Sequence, residues 1–245
     1  MKQISLFALL VVLLGLSSAP VQAEVFMDYS FPNGVVWQIG GFEVYDILQR
    51  GENIGQARVD YKQITMLDQP AYRVIWHQSW TEEGSTYQID VDSKMLKSGL
   101  AVLMSTHSEK AGDQEWRYEG NYTGENMSIG AYYPGDPQRY EYAMNRTGRY
   151  ADADILPFLF RNIPFAERNF VTFTTIDISS QTFFTPIATV TGSEVVDTGA
   201  TQYDCWVVNV SSPSGGFTAW YSKSDKHYLV KVRYGDRELV LNHHS

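Results

Sequence analysis

The sequence has little cysteine, little positive charge and few long apolar runs. The chain of 245 residues has a single cysteine, Cys205, so an intramolecular disulfide is excluded. Its strand-like surroundings predict that Cys205 is a small side chain of the core. Lys and Arg number 19 against 28 Asp and Glu. This balance argues against a nucleic-acid-binding protein, which needs a basic face to displace counterions.

Sequence signatures of catalysis are also missing. The chain contains no G-x-S-x-G nucleophile elbow and no glycine-rich phosphate loop. Its histidines show no spacing typical of zinc ligands; they are His77, His107, His227, His243 and His244. We therefore predict no catalytic residues, no metal site and no cofactor, and we interpret the protein as a binder rather than an enzyme.

The N-terminal segment has the pattern of a secretory signal peptide. Lys2 precedes an apolar run over residues 4–16, and residues 21–23 (VQA) have the small-x-small form of a cleavage site. The run is shorter than the roughly 20 residues of a membrane span, so an uncleaved anchor is disfavoured. We expect residues 1–23 to be removed and the mature chain to be exported without spanning a membrane. The periplasm is the expected compartment, with secretion as the alternative.

Apolar and polar residues alternate with a period of two through most of the remaining chain. Over residues 54–64, for example, Ala57, Val59 and Tyr61 share one strand face. Turn signals separate such segments at roughly the 8–12-residue spacing of an all-β fold. We predict a curved antiparallel meander sheet, or an open or half barrel, formed by a single domain of residues 24–245.

Some boundaries follow from local composition. A turn is predicted at residues 93–94, and residues 170–176 and 185–195 are each predicted to form one strand. One segment departs from the alternation: residues 152–161 begin with acids and continue with apolar residues. Acids favour the start of a helix and Pro157 limits its length, so we predict a short helix there that packs on the sheet.

Aromatic residues are the one excess, at 14% of the chain. Several of them fall on the apolar faces of predicted strands, where most would fill a core. A half-open sheet with an aromatic concave face can also hold a lipid-like or other hydrophobic molecule. The candidate ligand-binding residues are Tyr72, Trp76, Trp80, Tyr87, Trp206 and Trp220.

Three further functions remain open. The protein could be a structural or interaction protein of the envelope that contacts a protein partner and has no ligand cavity. Asp90 and Asp92 share one strand face and could serve a carbohydrate-active protein, although such pairs are more often solvated. An outer-membrane barrel is disfavoured, because many predicted strands are shorter than the 9–11 residues that such strands need.

Residues 45–55 (YDILQRGENIG), residues 155–165 (ILPFLFRNIPF) and the hairpins at residues 195–208 and 219–232 carry a resemblance. They are similar to a family of exported bacterial proteins classified as a domain of unknown function, number three-one-zero-eight. The resemblance implies a curved antiparallel sheet or open barrel, similar to periplasmic lipoprotein carriers, and an envelope location. It implies no activity and no catalytic residues.

Overall fold

The strands that the alternation predicts are present and pair extensively. The computed structural model describes residues 24–25, 35–124, 126–145, 148–163, 165, 170–213 and 215–245. The signal-peptide prediction falls on residues 1–23, outside the described residues. The strands of the first half are β1 (Glu24–Val25), β2 (Phe42–Gln49), β3 (Glu52–Met66), β4 (Gln69–Glu82), β5 (Ser85–Leu96), β6 (Val102–Ala111), β7 (Gln114–Asn121), β8 (Asn126–Tyr132) and β9 (Tyr140–Asn145). Those of the second half are β10 (Ala151–Asp152), β11 (Phe170–Thr172), β12 (Thr175–Asp177), β13 (Thr182–Phe184), β14 (Ile187–Asp197), β15 (Gln202–Ser212), β16 (Gly215–Ser222), β17 (Leu229–Tyr234) and β18 (Arg237–His244).

Among the described residues, fifteen strands make up the main sheet, in the order β1-β11-β14-β15-β16-β17-β18-β2-β3-β4-β5-β6-β7-β8-β9. Neighbours are antiparallel except β1 and β11, which are parallel. The last strand, β18, pairs with β2, so both halves of the chain extend outward from the middle of the sheet. Within the described residues the sheet does not close, and β9 and β1 are its edges. The prediction of a curved, open antiparallel sheet is confirmed.

A short helical segment (residues 153–162) interrupts the strands. It consists of the four-residue helix α1 (Leu156–Leu159) with a turn of 3₁₀ helix on each side. The Asp152 carboxylate begins it by accepting a hydrogen bond from the backbone N–H of Asp154 at 3.0 Å. This confirms the predicted short helix near residues 152–161. In the described part of the chain, no helix has the length and apolar character needed to cross a membrane.

The main sheet curves around the helical segment. We call the face of the sheet that packs on this segment the inner face, and the opposite one the outer face. One apolar core joins Leu156, Phe158 and Phe160 of the segment to buried residues of β2 to β5 and of β14 to β18. A flat sheet could not bring strands so far apart in the sheet order to one small segment. Each fully buried apolar side chain stabilises the fold by roughly 1.5–3 kcal/mol.

A second, smaller core lies under the other end of the sheet. Strands β10, β12 and β13 form a separate three-stranded sheet, which packs near β6 and β8. The buried residues of this second core are Val102, Tyr122, Met127, Ile129, Tyr150, Ile176 and Ile178. The small sheet thus covers an apolar surface of the main sheet that the helical segment does not reach.

The predicted turn at residues 93–94 is wrong. Strand β5 continues through Ser93, which is fully buried and pairs with Val74 on one side and Ser105 on the other. The chain turns instead after residue 96, where Gly99 and Leu100 have φ angles of 82° and 51°. Pairing on both sides of Ser93 overrides the turn preference of its side chain.

The predicted single strand over residues 170–176 is also wrong. Val171 lies in β11 of the main sheet, whereas Ile176 lies in β12 of the small sheet, so the chain crosses between sheets within this stretch. The strand predicted over residues 185–195 begins two residues later and extends to Asp197 as β14. Alternation along one strand does not reveal which neighbour that strand will pair with.

Candidate functional site

Four of the six candidate aromatic residues lie on the inner face of β4 and β5. Trp76 and Trp80 are each 6% exposed and face the helical segment, where the Trp76 ring lies 4.9 Å from that of Phe158. Tyr87 stacks on Trp80, with 5.3 Å between ring centroids and 11° between planes. Tyr72 is buried further along β4, at the end of the strand away from Trp80.

The other two candidates, Trp206 and Trp220, are on neighbouring strands but on opposite faces. Trp206 pairs with Tyr221, and Trp220 pairs with Val207. Trp220 therefore packs in a small outer-face cluster, and its indole N–H donates to Glu194 Oε2 at 2.8 Å. Trp206 packs against the inner core. The structure does not bring these two residues together with the first four.

A cavity of about 410 Å³ lies between the helical segment and the inner face. Ligand pockets typically enclose roughly 300–1,000 Å³ and are mostly apolar with a few polar groups. Of the six candidates, Trp76 and Trp80 line this cavity. Its walls are formed by Trp76, Gln78, Trp80, Ile89, Asp154, Pro157, Phe158, Leu229, Val232, Tyr234, Asp236 and Arg237.

A second cavity, of about 370 Å³, adjoins the first along the helical segment. The two cavities share Asp154, Pro157 and Tyr234. The second extends toward β13, β15 and β16, where Phe184 and Phe217 contribute apolar surface. Both cavities therefore border the beginning of the helical segment.

The larger cavity has a polar end at Arg237. The guanidinium carbon of Arg237 lies 4.4 Å from the centre of the Trp80 ring, in a cation–π contact. Its Nη2 donates to Glu82 Oε2 at 2.9 Å, and Gln49 donates to the other oxygen of Glu82 at 2.8 Å. The guanidinium is therefore held in place from outside the cavity while it lies over the aromatic wall.

An acid–histidine cluster lies beside the cavities. Asp154, which lines both of them, has its Oδ2 3.0 Å from His107 Nδ1. Burial lowers the pKa of His107, but the Asp154 carboxylate and other nearby acids raise it more, so the net shift is upward. Burial, and then the charge of Asp154, raises the pKa of Asp152 to about 7. The cluster thus holds a buried acid whose pKa lies well above that of a solvated aspartate.

A buried ion pair fixes the helical segment to the sheet. Arg161 Nη1 donates to Glu43 Oε1 at 2.5 Å, and the two side chains are 0% and 3% exposed. Tyr45 and Tyr61 donate to Glu43 Oε2 at 2.6 and 3.1 Å. Burial, followed by the charge of Glu43, raises the pKa of both tyrosines well above its usual range, so they stay protonated donors. Arg161 also donates to two backbone carbonyls of residues 226–227 at 3.0 and 3.1 Å.

Side chains around the helical segment satisfy its carbonyl groups. A helix of four residues leaves most of its backbone acceptors unpaired. Trp37 Nε1 donates to the carbonyl of Phe158 at 3.0 Å, and the Tyr221 hydroxyl donates to that of Pro157 at 2.8 Å. These contacts tie Pro157 to β16 and Phe158 to the loop that precedes β2.

The two carboxylates considered for carbohydrate chemistry lie on the outer face. Asp90 lies 2.6 Å from His77 Nδ1, and its side chain is 60% exposed. Asp92 accepts two hydrogen bonds from Arg73 at 2.8 Å and lies 3.2 Å from Lys94. Neither residue lines a cavity described above. The carbohydrate-active alternative that used Asp90 and Asp92 is therefore not supported.

Cys205 is a buried member of the outer-face cluster. The side chain is 0% exposed and packs with Val196, Trp220 and Val230. Burial raises the pKa of its thiol to about 12. A buried thiol with a raised pKa is a poor nucleophile. This agrees with the interpretation of Cys205 as a core residue.

Comparison with solved structures identifies a similar fold. A beta-barrel-like protein of domain of unknown function DUF1849 from Brucella abortus aligns with a TM-score of 0.51 and 11% sequence identity. The alignment covers 84% of this chain and 97% of that protein. At this identity the likeness concerns the fold alone, and it agrees with the open, curved sheet.

Comparison with curated proteins gives no match. The sequence profile of a family described as "Protein of unknown function (DUF3108)" matches residues 42–241. The match begins at the first residue of β2 and ends within β18, so it contains the strands and the helical segment that enclose the cavity. The resemblance found in the sequence is thereby confirmed, and the chain belongs to the DUF3108 family.

Proposed function

We propose that the protein is an exported envelope protein that binds a lipid-like or other hydrophobic ligand between the helical segment and the inner face. The observation that carries this proposal is the cavity of about 410 Å³. Its apolar wall, to which Trp76 and Phe158 both contribute, suits a hydrophobic chain. Ligand binding, rather than catalysis, accounts for a cavity in a chain without a catalytic motif.

The scaffold around the cavity supports this proposal. The Glu43–Arg161 ion pair and the bonds to the helical carbonyls fix the position of the segment on the inner face. Apolar side chains left free to collapse would close a cavity between them, because protein interiors pack densely. Polar anchoring of the segment keeps the space open for a ligand.

Export is supported by the sequence of the N-terminal segment. The basic residue, short apolar run and VQA triplet match the pattern of a secretory signal. We propose the periplasm as the compartment. Intact-mass measurement of the protein from its native cell should give a chain that begins at residue 24, in the periplasmic fraction. A chain that retains the apolar run, or a cytoplasmic location, would contradict export.

Ligand binding is tested by native mass spectrometry of the protein purified from envelope extracts, followed by lipid extraction. We expect an apolar molecule to remain bound. Gln78 lines the cavity, so Gln78→Trp should fill the space and abolish the bound mass. Gln88→Trp is the matched control, because Gln88 lies on the outer face of the next strand and pairs with Ser79.

Three results would overturn ligand binding: no bound molecule in the wild type, retention in Gln78→Trp, or equal loss in both variants. Circular dichroism of each variant confirms that the sheet is intact. The comparison therefore separates occupation of the cavity from adhesion to the surface.

A second candidate function, contact with an envelope protein, is favoured by the sheet edge at β9. This strand is at one end of the main sheet, and edge strands tend to pair with further chains. Its Tyr140 and Tyr142 contact Tyr133, through a ring contact at 5.5 Å and a hydroxyl contact at 3.3 Å. Photo-cross-linking from residue 143 in whole cells should capture a partner. The absence of any cross-linked protein would remove this candidate.

A further inference from the structure

Two residues of the larger cavity carry buried N–H groups that lack an acceptor. Trp80 is 6% exposed, and its indole Nε1 has no hydrogen-bond partner among the described residues. In the same part of the structure, Nε of Arg237 is buried and equally without an acceptor. Buried donors of this kind are rare in folded proteins, and leaving one unpaired is unfavourable.

The two donors are neighbours. The Arg237 guanidinium lies over the Trp80 ring, 4.4 Å from its centre, and the contact with Glu82 already uses Nη2. Both residues line the same cavity. Because the two nitrogen atoms have almost no accessible surface, an acceptor in the cavity reaches them only when these side chains shift. A carbonyl oxygen has two lone pairs and can accept from two such donors at once.

The charged residues around the cavity indicate which chemical class of acceptor group fits the two donors. The residues of the cavity wall that carry a charge at neutral pH are Asp154, Asp236 and Arg237. The positive charge of Arg237 is already paired with Glu82 outside the cavity at 2.9 Å. An anionic head group would therefore meet two carboxylates and one neutralised guanidinium. This arrangement disfavours a carboxylate or a phosphate and favours an uncharged oxygen acceptor.

We propose that the cavity recognises the carbonyl oxygen of an ester- or amide-linked acyl chain through Trp80 and Arg237. The chain itself would extend along Trp76 and Phe158. A volume of about 410 Å³ is near the lower end of ligand pockets, which suits one medium-length chain. This inference rests on the proposed function, in which the same cavity takes a lipid-like ligand.

The test compares three probes of the same chain length by isothermal titration calorimetry. Monodecanoylglycerol carries the ester carbonyl, decylglycerol replaces it by an ether, and decanoate carries a free carboxylate. We expect the ester to bind about tenfold more tightly than the ether, as one or two net hydrogen bonds would give. At neutral pH, decanoate should bind more weakly than the ester.

Variants assign the preference to the two donors. Trp80→Phe removes the indole N–H and keeps an aromatic ring, whereas Arg237→Lys keeps a charge for Glu82 and removes Nε–H. Each should reduce the preference for the ester over the ether, because one of the two donors is lost, and should leave the affinity for the ether unchanged. Trp220→Phe is the control, because this indole donates to Glu194 on the outer face. It should leave both affinities unchanged.

Equal binding of ester and ether by the wild type would overturn this inference, and so would tighter binding of decanoate than of the ester. In both cases the proposed function would stand. Failure of all three probes, together with no co-purifying apolar molecule, would overturn the proposed function as well. If Trp80→Phe does not fold, Arg237→Lys and the wild-type ratio of ester to ether decide the question.

Discussion

The inner and outer faces of the main sheet contain similar ion pairs in opposite surroundings. Arg161 and Glu43 meet inside, with side chains 0% and 3% exposed. Arg58 and Asp60 meet outside in two hydrogen bonds of 2.8 Å, with side chains 46% and 27% exposed. The inner pair joins two distant parts of the chain, whereas the outer pair joins residues of one strand.

This difference shows that polar contacts have different roles on the two faces of the sheet. Outer-face charges are solvated and contribute little each. Inner-face polar groups hold the helical segment against the sheet and border the cavity. We therefore expect substitutions on the inner face to change stability or binding, and matched substitutions on the outer face to have almost no effect.

The largest effect is expected from the buried ion pair. Arg161→Met leaves the Glu43 carboxylate buried without its counterion, and breaking such a pair lowers the free energy of unfolding by roughly 3–5 kcal/mol. Arg58→Met, the outer-face match, should lower it by less than about 1 kcal/mol. Urea unfolding of both variants measures the difference.

A double variant sharpens this comparison. Arg161→Met combined with Glu43→Gln removes the uncompensated charge and should regain part of the stability that Arg161→Met loses. Equal losses in Arg161→Met and Arg58→Met would show that the buried pair does not anchor the helical segment.

The next effect concerns Asp152 and depends on pH. Its folded-state pKa of about 7 lies above its ordinary value of 3.8. The unfolded chain therefore loses its proton first, and stability falls as the pH rises from about 4 to about 7. Asp152→Asn removes this contribution and should be more stable than the wild type at pH 8 by a few kcal/mol, with little difference near pH 4.

The contribution of His107 to stability also falls as the pH rises. Its raised pKa stabilises the folded state fully below the ordinary value of 6.5, and this contribution is lost as the pH rises through the folded-state value.

Asp90→Asn on the outer face is the control for Asp152→Asn and should change the unfolding free energy by no more than about 0.5 kcal/mol. An Asp152→Asn variant that is less stable than the wild type at pH 8 would contradict the buried-acid account.

A smaller effect is expected at Gly55, where β3 passes close to β4. A Cβ at this position would lie 2.1 Å from the carbonyl oxygen of Ser79 and 2.6 Å from Cα of Trp80. Gly55→Ala should therefore displace the strand that carries Trp80 and destabilise the fold by roughly 1–3 kcal/mol. Thermal unfolding measures the loss.

Gly192 offers the matched position. It lies in β14, where a Cβ would meet nothing within 4 Å. Gly192→Ala should be neutral or slightly stabilising. If Gly55→Ala is equally neutral, the close approach of the two strands is not a constraint on the cavity wall.

Much of the fold could be predicted from residue patterns. Alternation placed Ala57, Val59 and Tyr61 on the inner face, and the acids before Pro157 marked the helical segment. Both signals are local, because a strand or a helix start depends on neighbouring residues. The turn predicted at residues 93–94 failed because pairing with two flanking strands decides the path of that stretch.

The site was harder to predict because it depends on register between distant strands. Trp206 and Trp220 are equally aromatic in the sequence, but the pairing of Trp206 with Tyr221 puts them on opposite faces. The ion pair between Glu43 and Arg161 joins residues 118 positions apart. No local pattern signals such a contact, although a lone basic residue inside an apolar helical segment is a hint that a buried acid faces it.

The most direct test is a crystal structure of the protein with its co-purified ligand. We predict an elongated apolar molecule in the cavity beside Trp76 and Phe158, with the helical segment held by the Glu43–Arg161 pair. A cavity closed by its own side chains, or a ligand bound only on the outer face, would contradict it.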